Sequence, residues 1–489
     1  MSKPEPAAAR RGQPNVLLIV SDQHRFDCVG VSDDYPVSTP HLDGLAREGL
    51  WFSSAFTPIP LCTPARQSLL TGARAESTGG LWNYDLGSRI QSLDPRSYSW
   101  PRELQASGYR SQYIGKWHVN PDHGPTAFGY DSWIPLEDYD AWREIAHPGR
   151  PLSHDWFGGV DPVPTADSRT HWMADRAAEF ITQASGADKP WHLRLDFLEP
   201  HLPCLPSAEY AEKYRPEDVP QWRDFVDSLD GKPYIQRQQL LNWGVEDWTW
   251  EEWAPIVARY YAAVEQLDDA IGAVLRSLDA SGAAEDTLVI YTTDHGDLCG
   301  SHGMMDKHYV MYDEVVRVPL ILRWPGRLAP GSTTDSFVYN MLDLVPTISS
   351  ATGVEGPPVS HGMPLLDDRE GMLTPSGSTA AREHVVSTYN GQQFGLFTQR
   401  MLRTRSWKYV WNPTDVDELY DLEGDPEELT NRVDDESVEG VLAELRVRLF
   451  EHLREEGDSI VDNDWMARQL TTGRKLGNRA QQLREHDHA

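Results

Sequence analysis

The sequence predicts an α/β fold in which a sheet lies between helices, and three segments carry this prediction. Residues 15–20 (NVLLIV) and 287–292 (TLVIYT) are short, continuous apolar runs, a pattern typical of strands buried on both faces of a parallel sheet. Residues 253–278 place apolar side chains every three or four positions, which predicts a helix. Alternating strands and helices of this kind are typical of an α/β sheet flanked by helices.

Both predicted strands end at acidic residues. Asp22 follows the first apolar run, and Asp294 follows the second. In open α/β sheets, ligands gather at the carboxyl ends of the strands. We therefore expect a functional site that contains both carboxylates, although an aspartate at a strand end also serves simply as a turn residue.

The chain changes character in its last third. Residues 353–379 are rich in Gly, Pro and Ser, which indicates a linker or a surface crossing. Residues 384–389 and 401–411 are strand-like, and residues 437–454 predict a helix. These elements predict a smaller α+β domain that packs on the first one.

We therefore predict a main α/β domain over residues 1–370, an α+β subdomain over residues 371–457, and a polar tail over residues 458–489. The tail predicts an arm to a neighbouring subunit, and hence a homo-oligomer. Within the main domain, the Trp-rich segment, residues 203–253, predicts either an inserted lid or interface, or a plain cover for a core edge. Its five tryptophans are Trp222, Trp243, Trp248, Trp250 and Trp253.

The composition excludes several classes of protein. The 489 residues carry 44 Lys and Arg against 75 Asp and Glu, which gives a net charge of −31. This charge excludes a basic nucleic-acid binder. A site for an anionic ligand would need positive side chains of its own, because the protein as a whole repels anions. Hydrophobic residues make up 39% of the chain, enough for a buried core. No apolar run reaches the ~18 residues of a membrane span, and we expect no membrane partner.

Cysteine usage and the N-terminus bear on the compartment. The four cysteines (Cys28, Cys62, Cys204 and Cys299) are widely spaced, which is not the pattern of a disulfide framework. Residues 1–14 are polar and lack the apolar core of a secretory signal. We expect a cytoplasmic protein.

The most specific motif is Cys62-x-Pro64-x-Arg66, followed by residues 108–118 (GYRSQYIGKWH). A lone cysteine is more often a structural thiol, but further motifs follow in order. They are Pro200-His201-Leu202-Pro203, Thr293-Asp294-His295-Gly296, Lys307 ahead of residues 312–319 (YDEVVRVP), and residues 418–428 (ELYDLEGDPEE). Over about residues 15–455 the chain resembles the formylglycine-dependent sulfatases of the alkaline phosphatase superfamily.

This resemblance implies a fold and an activity. The fold would be a large mixed, mostly parallel sheet between helices, with a C-terminal α+β domain built on a short antiparallel sheet. A formylglycine-generating enzyme would convert Cys62 to formylglycine. The enzyme would then hydrolyse a small anionic sulfate ester and release inorganic sulfate and an alcohol.

The resemblance also implies one divalent metal ion, held by Asp22, Gln23, Asp294, His295 and the modified Cys62. Oxygen-rich sites suit Ca²⁺ or Mg²⁺, and Ca²⁺ is the expected ion. Many sulfatases carry a second carboxylate and an amide where this chain has Gln23 and His295. Because the imidazole of His295 offers a nitrogen ligand, Mn²⁺ and Zn²⁺ are alternatives to Ca²⁺.

Six catalytic residues follow from the same resemblance. Cys62 would supply the nucleophile, and His201, with Lys307 beside it, would supply the proton to the leaving alcohol. His118 would take the proton that lets sulfate leave. Arg66 and Lys116 would hold the nucleophile and neutralise charge. Outside these motifs, each histidine or lysine would be read as an ordinary surface or hydrogen-bonded residue.

Two alternatives to a sulfatase stay open. The Asp-Gln and Asp-His pairs also resemble the phosphonate monoester hydrolases, relatives that cleave phosphonate monoesters and phosphodiesters with the same machinery. A non-catalytic binding protein of the same fold would be indicated by loss of the nucleophile or of metal positions, and none is lost here.

Overall fold

A computed structural model describes residues 13–85, 91–369, 371–391, 393 and 395–473 of the chain. Its strands are β1 (Asn15–Asp22), β2 (Leu50–Phe52), β3 (Ala55–Phe56), β4 (Arg110–Gly115), β5 (Ser132–Ile134), β6 (His154–Asp155), β7 (Gly158–Gly159), β8 (Trp191–Pro200), β9 (Thr287–Thr293), β10 (Leu320–Arg323), β11 (Ser332–Thr334), β12 (Val338–Tyr339), β13 (Leu366–Arg369), β14 (Met372–Pro375), β15 (Val385–Gly391), β16 (Phe397–Arg403), β17 (Trp407–Trp411) and β18 (Glu418–Asp421).

The α-helices of the same residues range from single turns to a helix of 31 residues. They are α1 (Pro40–Glu48), α2 (Cys62–Thr71), α3 (Ala75–Thr78), α4 (Trp100–Ala106), α5 (Leu136–Ala146), α6 (Arg169–Ser185), α7 (Ala208–Ala211), α8 (Tyr234–Trp243), α9 (Trp250–Ala280), α10 (Asp313–Val316), α11 (Leu344–Thr352), α12 (Gly377–Ala380), α13 (Glu439–Glu455) and α14 (Asp464–Thr472).

The central sheet has eight strands in the order β11-β2-β10-β9-β1-β8-β4-β5. Strand β10 runs antiparallel to both of its neighbours, and the other pairs are parallel. This confirms the expected mixed, mostly parallel sheet. Both apolar runs identified in the sequence are strands, β1 and β9, and they are adjacent partners at the centre of the sheet.

Helices cover both faces of the sheet because successive side chains of a strand point to opposite faces. Leu17 and Ile19 pack against α6 and α9, whereas Leu18 and Val20 pack against α2, α4 and α11. All four side chains are fully buried. The long helix predicted over residues 253–278 is α9, which begins three residues earlier with a capping box formed by Thr249 and Glu252.

The C-terminal part contains an antiparallel sheet in the order β15-β16-β17-β18, as the resemblance implied. Residues 401–411, predicted as one strand-like piece, contribute to two strands, β16 and β17, joined by a turn. Helix α13 corresponds to the helix predicted over residues 437–454, and it packs Leu445 and Leu449 against one face of this sheet.

Two segments differ from their predicted character. The expected linker over residues 353–379 contains the hairpin β13–β14 and the short helix α12. Residues 464–472 of the expected polar tail form α14, whose Leu470 is fully buried in the C-terminal core. Burial of Leu470 holds this helix against the C-terminal core, so the average polarity of the segment did not predict its structure. The arm to a neighbouring subunit stays a prediction, and residues 474–489 lie outside the described residues.

The Trp-rich segment covers the edge of a core, which was the plainer of its two interpretations. Trp222 and Trp253 are buried in a cluster with Tyr260 and Tyr261 of α9. The indole of Trp222 donates to the backbone carbonyl of Cys299 at 2.8 Å. No helix in the described part of the chain has the length and apolar character that crossing a membrane requires.

Candidate active site

The site lies where four adjacent strands of the central sheet end. Asp22 is the last residue of β1, and Asp294 and Lys116 directly follow β9 and β4. Asp196 of β8 lies in register with the ends of β1 and β4. The parallel arrangement therefore brings together three aspartates and a lysine that are far apart in the sequence.

Cys62 is the first residue of α2, and its side chain faces the same strand ends. Its Sγ lies 3.3 Å from Nε2 of His295 and 3.9 Å from Oδ1 of Asp22, and the residue is 1% exposed. Pro64 falls in the first turn of the helix, where a missing N–H costs no helical hydrogen bond. The backbone N–H of Thr63 donates to Oδ1 of Asn83 at 2.9 Å, which fixes the start of the helix.

Four of the predicted metal ligands form one buried group. Ligand atoms of Asp22, Cys62, Asp294 and His295 all lie within 4.8 Å of one another. Nδ1 of His295 lies 2.9 Å from the carbonyl of Gly296, so Nδ1 donates its hydrogen to that carbonyl and Nε2 is the nitrogen that faces the group. This is the arrangement typical of a metal-ligating histidine. Two carboxylates and an imidazole thus fit a divalent cation.

Gln23 lies next to this group, with a left-handed φ of 67°. Its backbone N–H donates to Oδ1 of Asp294 at 3.2 Å. Its side-chain oxygen accepts from Nζ of Lys307 at 2.8 Å, and its side-chain N–H donates to Asp306. Ligation of the metal by Gln23 stays a prediction, since this oxygen already has a cationic partner.

Arg66 is completely buried and its guanidinium is occupied by carboxylates. It donates to Asp196 at 2.6 Å, to Asp22 at 2.9 Å and to Asp294 at 3.0 Å. Lys116 adds a further contact to Asp22 at 2.5 Å. In this arrangement Arg66 holds the carboxylates of the buried group, and it is not among the residues that line the open cleft.

Positive groups dominate around the Cys62 side chain, although the whole chain is strongly acidic. Burial raises the pKa of the Cys62 thiol, but Lys116, Lys307 and His295 together hold it well below its usual range. The field at position 62 therefore favours a negatively charged group, which is what an anionic substrate requires.

His201 and Lys307 form the pair that the sequence predicted. Nε2 of His201 lies 2.8 Å from Nζ of Lys307, and Nδ1 lies 2.6 Å from the carbonyl of Leu202. Because a carbonyl only accepts, Nδ1 carries the hydrogen and Nε2 accepts from the ammonium group. Burial lowers the pKa of Lys307, but Asp306 and the other acidic groups outweigh it and raise the pKa above its usual value.

His118 stands on the other side of Cys62. Its Nε2 lies 3.4 Å from Oδ1 of Asp85, and its ring makes an edge contact with Tyr84 at 4.8 Å between centroids. Burial lowers the pKa of His118, but Asp85 and Cys62 outweigh it, so the pKa lies above its usual value of 6.5. An imidazole paired with a carboxylate in this way is suited to accept a proton.

An open cleft of about 750 Å³ leads to these residues. Cys62, Lys116, His118, His201 and Lys307 line its floor. Its wall also contains four aromatic residues, and none of the described residues that line the cleft belongs to the Trp-rich segment. The aromatic residues are Tyr84, Trp117, Trp133 and Trp156.

Three acidic residues of the site were not identified from the sequence. Asp196 binds Arg66, Asp85 pairs with His118, and Asp306 contacts Lys307 at 3.2 Å. Asp196 lies inside a strand whose polar and apolar residues alternate, and this polar position in a buried strand was a usable signal. The other two aspartates lie in loops, where spacing carries no comparable signal.

Comparisons with known proteins agree with this geometry. The profile of the family described as Sulfatase matches residues 14–354, and the profile described as N-sulphoglucosamine sulphohydrolase, C-terminal, matches residues 300–456. Over 480 residues the chain is 30% identical to the uncharacterized sulfatase YidJ of Escherichia coli, with 93% of this chain and 90% of that protein covered. Over 489 residues the chain is 28% identical to an arylsulfatase of Clostridium perfringens, and the match covers 91% of this chain and 96% of the arylsulfatase.

A solved structure shows the same fold. The phosphonate monoester hydrolase of Agrobacterium radiobacter superimposes with a TM-score of 0.78 at 24% identity, covering 91% of this chain and 96% of that one. Since the Sulfatase profile matches well over half of the chain, the chain belongs to the sulfatase family and is a sulfuric ester hydrolase.

Proposed function

We propose that the chain is a metal-dependent sulfatase whose nucleophile is formylglycine made from Cys62. The observation that carries this proposal is the single buried group formed by Cys62, Asp22, Asp294 and His295, with ligand atoms within 4.8 Å of one another. A structural cysteine needs no such surroundings. The four cysteines are free and buried, which supports a cytoplasmic location, and conversion requires a formylglycine-generating enzyme as partner.

Asp22, Asp294 and His295 would hold one divalent ion, together with an oxygen of the modified residue and Gln23. Ca²⁺ is the proposed ion, because oxygen donors predominate among the ligands. Mg²⁺ is also a hard cation that prefers oxygen. Mn²⁺ and Zn²⁺ are alternatives because the imidazole of His295 supplies a nitrogen ligand. When bound, such an ion stabilises negative charge on the transferring oxygens and makes an attached hydroxyl more acidic. Arg66 and Lys116 form ion pairs with Asp22 and favour its ionised form against the effect of burial.

One hydroxyl of hydrated formylglycine would lose its proton to solvent, and its oxygen would bond to the ester sulfur. After the alcohol has left, loss of the proton of the second hydroxyl would break the C–O bond to sulfate and restore the aldehyde, so no external water has to attack a stable ester. As the ester S–O bond breaks, the leaving alcohol oxygen takes a proton from the His201–Lys307 pair. Lys307 holds this proton at Nζ, 2.8 Å from Nε2 of His201. His118 then accepts the proton of the second hydroxyl, and Asp85 stabilises the resulting imidazolium.

Mass analysis of the peptide over residues 48–66 tests the modification. Protein from its native host should show one sulfur and two hydrogens replaced by one oxygen at Cys62. The variant Cys62→Ala should lose activity by orders of magnitude with unchanged circular dichroism, whereas the control Cys28→Ala, which removes another buried thiol, should stay active. Active enzyme that contains only the unmodified thiol would contradict the mechanism.

A phosphonate monoester or phosphodiester hydrolase is the second candidate, supported by Gln23 and His295 at the two variable metal positions. Steady-state assays with an aryl sulfate, a phosphonate monoester and a phosphodiester rank the two activities. We expect the sulfate ester to have the highest kcat/KM. A preference of about a hundredfold for a phosphorus ester, about 2.7 kcal/mol in transition-state stabilisation, would reverse the order.

A further inference from the structure

A second group of potential metal ligands lies outside the active site. Asp224 belongs to the Trp-rich segment, His302 lies in the turn after β9, and Glu314 lies in α10. Their ligand atoms lie within 4.8 Å of one another. Nε2 of His302 is 3.6 Å from Oδ2 of Asp224 and 3.9 Å from Oε2 of Glu314. Three separate segments thus bring one nitrogen and two carboxylates to a common point.

Two of the atoms that face this point, Nε2 of His302 and Oε2 of Glu314, are buried and have no hydrogen-bond partner among the described residues. The same is true of Oδ1 of Asp224, the second oxygen of the carboxylate whose Oδ2 faces His302. The side chains of His302 and Asp224 are 0% and 4% exposed. Buried polar atoms are nearly always bonded to protein, water or an ion, so an unbonded buried atom on each of the three side chains indicates a missing partner.

The other ring nitrogen of His302 fixes which atom is available for a ligand. Nδ1 lies 2.6 Å from Oδ2 of Asp227, and Lys232 forms an ion pair with the same carboxylate. Because an ionised carboxylate only accepts, Nδ1 donates its hydrogen and Nε2 presents a lone pair. The ring also stacks on Tyr312 at 3.7 Å between centroids. Such a carboxylate-supported histidine is typical of metal ligands.

A small cavity gives access to the group. It has a volume of about 250 Å³, and Asp224 and Glu314 lie in its wall. Its lining holds six acidic residues and two arginines, so its field attracts cations. The space exceeds the volume of a water molecule, and a water from the cavity would complete a four-ligand shell.

We propose that Asp224, His302 and Glu314 bind a second divalent transition-metal ion, with Zn²⁺ as the preferred ion. One imidazole and two carboxylates suit zinc better than calcium. Bonds of about 2.0–2.2 Å in a tetrahedral site place ligand atoms about 3.4 Å apart, close to the separations of 3.6 Å and 3.9 Å that the structure shows. The ion would tie the Trp-rich segment to α10, a structural role that is independent of the proposed function.

Zinc stoichiometry tests this site directly. Metal-stripped protein is dialysed against excess Zn²⁺, desalted and measured by plasma mass spectrometry. The wild type should bind one more Zn²⁺ per chain than the variants Asp224→Asn and Glu314→Gln. The control Asp34→Asn removes an acidic residue from the same cavity wall but none from the group, and it should bind as much zinc as the wild type.

Equal zinc content in the wild type and in folded Asp224→Asn would overturn the proposal. If the variants do not fold, crystals of the wild type soaked in Zn²⁺ answer the question through anomalous scattering at the zinc edge. A peak within bonding distance of Nε2 of His302 supports the site, and its absence refutes it. Neither readout depends on sulfatase activity, so failure here is distinguishable from failure of the proposed function.

Discussion

At the scale of single residues, Arg66 controls the charge balance of the active site. Three buried aspartates accept hydrogen bonds from it. For Asp22, burial and Cys62 raise the pKa, but Lys116, His201 and Arg66 outweigh them and hold it below its usual range. Asp22 is therefore ionised and ready for a cation, because its positive neighbours compensate its burial.

Replacing Arg66 by Ala should destabilise the metal-free protein by about 3–5 kcal/mol, because it leaves buried carboxylates without their partner. Urea unfolding in the presence of a chelator measures this change. Arg66→Lys should recover part of the loss, since lysine keeps the charge but lacks the planar fork. The control Arg96→Ala breaks an exposed pair with Asp94 and should leave stability unchanged. An Arg66→Ala variant as stable as the wild type would refute this account of the site.

The pH dependence of catalysis should report the contact between Asp85 and His118. Burial lowers the pKa of His118, and Asp85 raises it. Removing this carboxylate makes the imidazolium less stable, so Asp85→Asn should lower the pKa of His118. A base must be neutral to act, and the acidic limb of the kcat profile should therefore move to lower pH.

The control for this shift is Asp122→Asn, because Asp122 lines the same cleft without an ion pair to His118 among the described residues. Its pH profile should match that of the wild type. An acidic limb that stays in place in Asp85→Asn would show that His118 is not the group that titrates.

At the scale of secondary-structure elements, α2 positions the proposed nucleophile. Cys62 is the first residue of this ten-residue helix, at the end where backbone N–H groups lack partners within the helix and the helix dipole is positive. Negative charge that develops on an oxygen at this position is therefore stabilised by the helix as well as by Lys116 and Lys307. The motif places Cys62 at this end of the helix, and Gly72 at a φ of 74° ends the helix.

Helix α14 offers a matched pair of substitutions. Leu470 is fully buried in the C-terminal core, whereas Trp465 on the same helix is 64% exposed. Leu470→Ala should lower the free energy of unfolding by about 2–5 kcal/mol through lost burial and a new cavity. Trp465→Ala should have little effect. Urea unfolding followed by circular dichroism measures both, and equal effects would show that α14 does not pack on this core through Leu470.

At the scale of the whole molecule, the C-terminal sheet completes the core of the main domain. Val385, Met401 and Val410 pack in the same apolar cluster as Leu18 and Ile290 of the central sheet. Polar contacts cross the same interface. Lys408 is fully buried and donates to the carbonyl of Met311, and Ser387 donates to the carbonyl of Thr57.

We therefore expect the described parts of the chain to unfold in one cooperative transition, because neither sheet can separate without exposing shared apolar surface. Calorimetry should give a single peak. Hydrogen exchange of β9 and β16 should report the same opening free energy. Two resolved transitions, or earlier exchange in β16, would show that the predicted boundary at residue 370 separates independent domains.

The sequence by itself determined the features that depend on local pattern. Apolar runs identified β1 and β9 as buried strands, and three-to-four periodicity identified α9. The motif around Cys62 and the later motifs identified the family and most of the residues that meet in the active site. These signals are local, because the pattern of a strand, a helix or a motif depends on residues that are close together in the sequence.

Only the tertiary structure decided which distant residues meet. Nothing in their spacing predicts that Asp196 binds Arg66, that Asp85 pairs with His118, or that Asp224 approaches His302. The same holds for α14, where one buried side chain outweighs a polar composition. The physical reason is that burial and ion pairing depend on how segments pack, and the free energy of a contact does not depend on the length of chain between its two partners.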